Sequence, residues 1–168
     1  MVRLKSRYVL FEITYPSQTL TNNDCKQNLL LLKHKSSPKQ INSKIIMQEI
    51  RRSLQLYLGD YGYGKVNSLL QLKYFSNNTS TGILRCHRED IDLLLTALFY
   101  INKLGDNTNN NYIGKLVINP IKISGTIKKM EQFIIKRNDR LLKNININQK
   151  QNDTNDFNDL NWANDETE

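Results

Sequence analysis

Ser68-Leu69-Leu70-Gln71-Leu72-Lys73-Tyr74-Phe75, Ser76-Asn77-Asn78-Thr79-Ser80 and Thr81-Gly82-Ile83-Leu84-Arg85-Cys86-His87 follow one another and decide the fold. Two apolar runs flank a polar pentad of hairpin-loop length, so the stretch reads as an antiparallel hairpin. Upstream, Asn42 or Ser43 stands as N-cap to a run in which Ile46, Ile50, Leu54 and Leu58 recur every four residues, with Gly59 as its stop. That pattern predicts a helix of about four turns. Asp60-Tyr61-Gly62-Tyr63-Gly64 reads as flexible turn. Farther back, Arg7 to Tyr15 alternates, with Val9, Phe11, Ile13 and Tyr15 on one face and Tyr8, Leu10, Glu12 and Thr14 on the other, as a strand does. Pro16 ends it.

Downstream of the hairpin, Glu89 and Asp90 open a helix whose stripe is Ile91, Leu94, Leu95, Leu98 and Ile101, with Gly105 as its end. After an Asn-rich loop, Lys115 to Ile123 is a fourth strand, and its Pro120 argues for an edge position or a bulge. Ser124-Gly125-Thr126 then starts a final helix carrying Ile127, Met130, Ile134 and Leu141 on one side.

Strand, helix, strand, strand, helix, strand is the split βαβ order. The expected fold class is therefore α/β (α+β), a ferredoxin-like or RRM-like α-β sandwich: a four-stranded antiparallel sheet, helices on one face, and an additional C-terminal helix. Residues 1–143 read as a single domain with variable loops at 17–40 and 106–113. Residues 144–168 read as a disordered, acidic, Asn-rich tail. Tyr8, Leu10, Leu70, Leu72, Leu116 and Ile118 add apolar surface whichever face they take, so the second face of the sheet needs a cover, either the C-terminal helix or a partner protein.

Charge gives the partner class. The 24 Lys and Arg all fall within residues 1–150 against 10 acids there, leaving +14, while residues 151–168 carry six acids and no base. Such a field draws in polyanions, nucleic acid above all, without specifying sequence or reaction. The longest apolar runs fall short of the ~20 residues of a membrane span, and no secretory pattern opens the chain, so an intracellular protein is expected. Cys25 and Cys86 differ in context, and no disulfide between them is expected.

Catalytic groups do not assemble in the sequence. Cys86 and His87 are strand neighbours that point to opposite faces and cannot share one ion. Glu12, Glu49, Asp60, Glu89 and Asp90 do not converge for metal-assisted hydrolysis. Gly59 to Gly64 matches neither phosphate-binding glycine motif.

The basic constellations carry more. Arg3, Lys5 and Arg7 alternate, so an extended arm displays them on one side to track a phosphate backbone, the alternative being a solvated tail. Arg51 and Arg52 sit mid-helix, one able to reach phosphate and the other to pack its stem, against a plain solvated face. Arg85, His87 and Arg88 close the hairpin's second strand, with Lys73 on the first and Lys65 before it, which puts cations along one end of the sheet. Lys128 and Lys129 follow a helix N-terminus of small residues, a phosphate seat or an ordinary capped helix. Tyr61 and Tyr63, flanked by glycines, are candidates to stack on unpaired bases, whereas Tyr8 and Tyr74 fit a core role better.

Several blocks carry a resemblance: Met1 to Ile13, Gln48 to Leu54, Leu58 to Gly62, Asn67 to Ser76, Thr79 to Asp90 and Asn119 to Lys129. They resemble the Pop-five family of protein subunits of eukaryotic ribonuclease P and ribonuclease MRP, of budding-yeast type, over most of residues 1–140. The resemblance implies a non-catalytic subunit that binds and stabilises a catalytic RNA, which removes 5′ leaders from precursor tRNA and processes precursor rRNA. It implies Mg²⁺ on that RNA and no cofactor on the chain. The expected neighbours are a barrel-fold ribonuclease P subunit and a small companion subunit of related fold. Precursor tRNA is a candidate contact, the expected location is nucleus and nucleolus, and Lys122, within the last block, joins the candidate RNA contacts. Three other classes stay open: a free-standing RNA-binding module of another ribonucleoprotein, such as a ribosomal or assembly protein; a protein nuclease; and a protein-only adaptor.

Overall fold

The structure, a computed structural model, describes residues 5–16, 34–106, 111–113 and 115–143. Its elements are β1 (Ser6–Thr14), α1 (Ser43–Asn67), β2 (Gln71–Ser76), β3 (Thr81–His87), α2 (Ile91–Phe99), β4 (Leu104–Asp106), β5 (Asn111–Ile113) and β6 (Val117–Ser124). A third helix, α3, covers residues 127–143. The main sheet is ordered β2-β3-β1-β6, with every pair antiparallel. This is the expected ferredoxin-like α+β architecture. The chain divides into two compact units, Met1–Met130 and Glu131–Glu168.

The alternation in β1 sorts the faces. Val9, Phe11 and Ile13 are fully buried and share one core with Ile46, Ile50 and Leu54 of α1 and with Leu94 and Leu98 of α2. Leu70, Leu72, Leu116 and Ile118 join this helix-side core as well. Of the six residues expected to make either face apolar, only Tyr8 and Leu10 belong to the other face, where Leu10 stands opposite Ile83. That side has a polar anchor too, because the buried Glu12 carboxylate meets His34 at 2.5 Å.

Residues 34–41 follow an irregular path held by polar bonds. Tyr15 Oη donates to Ser37 Oγ, Ser37 Oγ to Ser80 Oγ, and Ser80 Oγ to the Lys35 carbonyl, at 2.9, 2.9 and 2.7 Å. Asn77 Nδ2 donates to the carbonyls of Pro38 and Ile41. The tip of the hairpin thereby fixes the chain entering α1. The rest of the variable segment, 17–33, lies outside the described residues.

Asn42 caps α1, its Oδ1 accepting from Ile45 N at 3.0 Å. Pro120 stands on an edge strand beside a register shift at Leu10/Phe11, which leaves Ile121 unpaired. Both of its expected contexts are met, because proline can give no N–H to a further strand.

Several boundaries differ from the sequence reading, β2 starting at Gln71 and β6 at Val117 among them. Helix α1 continues past Gly59, whose φ of 63° and ψ of −167° break it, so Asp60 to Gly64 is helical instead of a flexible turn. The second piece is held by its own apolar side chains, with Val66 fully buried and Tyr63 packed on the core. Glycine within a helix costs only about 1 kcal/mol, which such packing outweighs. Helix α2 stops at Phe99, and Gly105 belongs to β4, paired with β5, while residues 107–110 of the expected variable loop lie outside the described residues. Local glycine and asparagine content reads as loop; the cross-strand pairing that overrides it is tertiary.

The break also reverses the chain. Arg51 Nε donates to Asn67 Oδ1 at 2.9 Å. An unbroken helix would separate those residues by about 24 Å. A Cβ at Gly59 would meet nothing within 4 Å. Gly59→Ala is therefore expected to cost about 1–3 kcal/mol through backbone strain alone. Gly64→Ala, also free of contacts but in ordinary helical conformation, is expected to gain up to about 1 kcal/mol. Urea unfolding of both variants checks this, and equal effects of one sign would contradict it.

Candidate nucleic-acid interface

Antiparallel pairing brings the start of β1, the end of β3, the end of β6 and the start of β2 to one end of the sheet. Arg88 N donates to the Lys5 carbonyl at 2.9 Å, so these two cationic residues are joined through their backbones. Arg7 pairs across from Cys86, and its Nη1 donates to the Ser6 carbonyl at 3.1 Å. A Cβ on Gly125 would lie 3.4 Å from that same Nη1, which brings the entry to α3 against Arg7. Arg85 and His87 point away from the helices, opposite Tyr8 and Ser6.

The Arg85 Nε is buried without a hydrogen-bond partner. Ser124 Oγ accepts from Thr126 N at 3.4 Å at the entry to α3, and Lys128 and Lys129 are exposed in its first turn. Five candidates, Lys5, Arg7, Arg85, His87 and Arg88, thus stand on two neighbouring strands and the residues that flank them. Lys128 and Lys129 follow from the adjoining strand. Arg7, in register with the helix-side Cys86, and Arg85 and His87, which point away from the helices, take opposite faces of the sheet. The cations from three chain segments thus ring one end of it, where together they can neutralise phosphates of one folded RNA that no single segment could span.

Lys65 also borders this end. It lies near enough to Asp90 and Glu89 to feel their charge, and its ammonium is held above its usual pKa first by a hydrogen bond to Tyr61. Its Nζ is 4.9 Å from the Tyr61 ring centre. Tyr61 is exposed on the second helical piece, not on a glycine-flanked turn. Lys122 is exposed on the edge strand opposite Leu10, and Lys73 occupies the β2 bulge between Leu72 and Tyr74. Both are one step inward from the end.

Arg51 and Arg52 are not part of the group. One is bonded to Asn67, and the other sits 3.6 Å from the Glu49 carboxylate. Arg3 lies outside the described residues.

No group of three His, Cys, Asp or Glu among the described residues could hold a metal ion, and no described helix is long and apolar enough to cross a membrane. Cys86 is buried on the helix side of β3, where burial, helped by Asp90, pushes its thiol up to about 11. The folded value lies above the unfolded one, so this stabilisation is complete below pH 9.0 and is lost as pH rises through about 11. In a Cys25→Ser chain, iodoacetamide at about pH 8 is expected to label the urea-unfolded form and to spare the native one, since the thiolate is the reactive species. Equal labelling of the two forms would contradict this.

The sequence reading passed over Leu56, Tyr57, Phe99 and Tyr100, which are large, apolar and exposed. Their signal was available: each falls off the four-residue stripe that buries its helix.

The model of the Rpp14/Pop5 family matches residues 7–135. The chain is 55% identical over 161 residues to a protein of Saccharomyces cerevisiae called ribonuclease P/MRP protein subunit POP5, covering 94% of this chain and 89% of that one. The Schizosaccharomyces pombe protein of the same name is 38% identical, with 88% and 95% covered. Ribonuclease P protein component 2 of Methanococcus aeolicus is 29% identical, with 90% and 88% covered. A chain in the cryo-EM structure of yeast ribonuclease MRP overlays with a TM-score of 0.47 at 12% identity, covering 86% of this chain and 99% of that one.

Proposed function

The chain belongs to the Rpp14/Pop5 family, and from that premise we propose that it is a non-catalytic protein subunit of the ribonuclease P and ribonuclease MRP ribonucleoproteins. The observation that carries this reading is the 55% identity, along nearly the whole chain, to a yeast protein named as such a subunit. A free-standing RNA-binding module draws no support from the comparisons.

The chemistry expected of such a subunit suits the cationic end of the sheet. Lys5, Arg7, Arg85, Arg88, Lys128 and Lys129 neutralise phosphates where RNA segments crowd together, so the catalytic fold of the RNA persists at lower Mg²⁺. In this reading the Mg²⁺ ions and the bond scission belong to the RNA, in precursor-tRNA 5′-leader removal and in precursor-rRNA processing. The barrel-fold subunit and the small companion of related fold are its protein neighbours, and its place is the nucleus and nucleolus.

Sequencing the RNA that co-purifies with a tagged chain tests the reading. One or two abundant structured RNAs, those of the two particles, are the expected yield. A broad messenger population would overturn it.

A further inference from the structure

On the outside of the helical layer, four large side chains stand together. Leu56 and Tyr57 of α1 are 68% and 49% exposed, and Phe99 and Tyr100 at the end of α2 are 78% and 46% exposed. The Tyr57 and Tyr100 rings stack with centroids 4.3 Å apart, and Phe99 meets Tyr100 edge-on at 5.6 Å. A patch of this kind spanning two helices is the usual mark of a binding surface on a protein.

Beside the rings is a cavity of about 70 Å³, bordered by Glu49, Arg52, Ser53, Tyr57, Tyr100 and Lys103. The Glu49 side chain is only 7% exposed, and its Oε1 has no hydrogen-bond partner. Arg52 Nη1 stands 3.6 Å from it, within ion-pair range but too far to donate. Burial raises the carboxyl pKa, while the charge of Arg52, a hydrogen bond from Arg52 to the carboxylate and the charge of Lys103 oppose that rise. Ser53, the nearest hydroxyl in sequence, donates instead to the Ala97 carbonyl at 2.7 Å. Arg52 thus serves the carboxylate as a whole, but Oε1 itself is left without a donor, and a buried acceptor in that state is costly.

We propose that this patch docks an amphipathic helix of a neighbouring protein subunit. The helix seats apolar side chains on Leu56, Tyr57, Phe99 and Tyr100 and delivers one neutral hydrogen-bond donor to Glu49. Two exposed helices side by side offer the groove into which a third helix packs. The donor is neutral because Arg52 and Lys103 already balance the carboxylate, and a further cation would leave excess positive charge. Protein fits better than RNA, since the centre of the patch is a carboxylate that repels phosphate and its rim includes Leu56 and Phe99. The inference rests on the reading of the chain as a subunit of a multi-protein particle.

The test uses the assembled particle, purified through a tag from cells whose only copy of the chain carries p-benzoylphenylalanine at Phe99. Irradiation followed by ribonuclease digestion is expected to leave an adduct between this chain and a different protein, mapping to one face of a helix. Glu49→Leu should lower the adduct yield about tenfold, while Glu49→Gln, which keeps a carbonyl acceptor, should retain it. An adduct removed by ribonuclease, an adduct of the chain with a second copy of itself, or no adduct would each overturn the proposal. Equal yields from the Leu and Gln variants would overturn the donor assignment. The RNA in the same preparation tests the subunit reading separately, so the two failures are distinguishable.

Discussion

Replacing Lys5, Arg7 and Arg88 together by Ala is expected to weaken binding to the particle's RNA about a hundredfold at about 0.15 M salt. Each neutralised phosphate contributes about 0.9 to the slope of log K against log salt, equivalent to roughly fivefold in affinity at that ionic strength. Three contacts multiply to the stated loss. Lys5 and Arg88 are exposed and Arg7 is half-buried, so little of the effect should come from folding. The backbone bond between Arg88 and Lys5 survives the substitutions. Arg51→Ala is the control, because that side chain is bonded to Asn67 and stands outside the group; its affinity should stay within about threefold of the parent. A triple variant equally close to the parent would remove these residues from the interface.

Gly82→Ala is expected to destabilise the fold by about 3 kcal/mol, a melting shift of roughly 10 °C. Gly82 lies on β3, hydrogen-bonded to a strand on either side, and in register it faces Phe11 on one and Phe75 on the other. An added Cβ would lie 2.4 Å from Phe11 Cζ, 2.7 Å from Cε1 and 3.1 Å from the Tyr74 carbonyl oxygen. Phe11 cannot easily yield, being fully buried and stacked on Phe75 with centroids 6.5 Å apart. Only a residue without a side chain fits there. Phe11→Leu in the same chain shortens the ring to a branch and should recover part of the loss, with a coupling above about 1 kcal/mol between the two changes. A Gly82→Ala chain melting within about 2 °C of the parent would refute this packing account.

What was legible in the sequence was what neighbouring residues determine. The polar pentad Ser76 to Ser80 marked the hairpin, the apolar stripes marked the buried faces of α1 and α2, and Asn42 marked a cap its side chain makes, whereas of the stripe expected in α3 only Met130 is buried and Ile127 is exposed. Pro120 announced an edge or a bulge, and the structure has both, because a missing N–H constrains pairing whatever the rest of the fold does. The second piece of α1 was hidden, since its glycines argue locally for a turn and only the burial of Val66 against the core argues otherwise. The same break concealed the bond between the exposed Arg51 and Asn67, and with it the reason Arg51 is already engaged. The cationic end was legible through the hairpin's Arg85, His87 and Arg88, but the approach of Gly125 to Arg7 depends on β6 pairing with β1. Glu49 looked like an ordinary helix acid; its burial beside Tyr57 and Tyr100 is a product of packing between the two helices.

The account turns on cations at one end of the sheet holding RNA phosphates, and the salt dependence of binding addresses that claim without relying on any single affinity. Titrating the parent and the Lys5, Arg7 and Arg88 triple variant against the particle's RNA across a range of salt gives two slopes of log K against log salt. The account predicts a variant slope shallower by about 2.7, which is three phosphate contacts at about 0.9 each. Parallel lines would contradict it, even if the variant bound more weakly throughout.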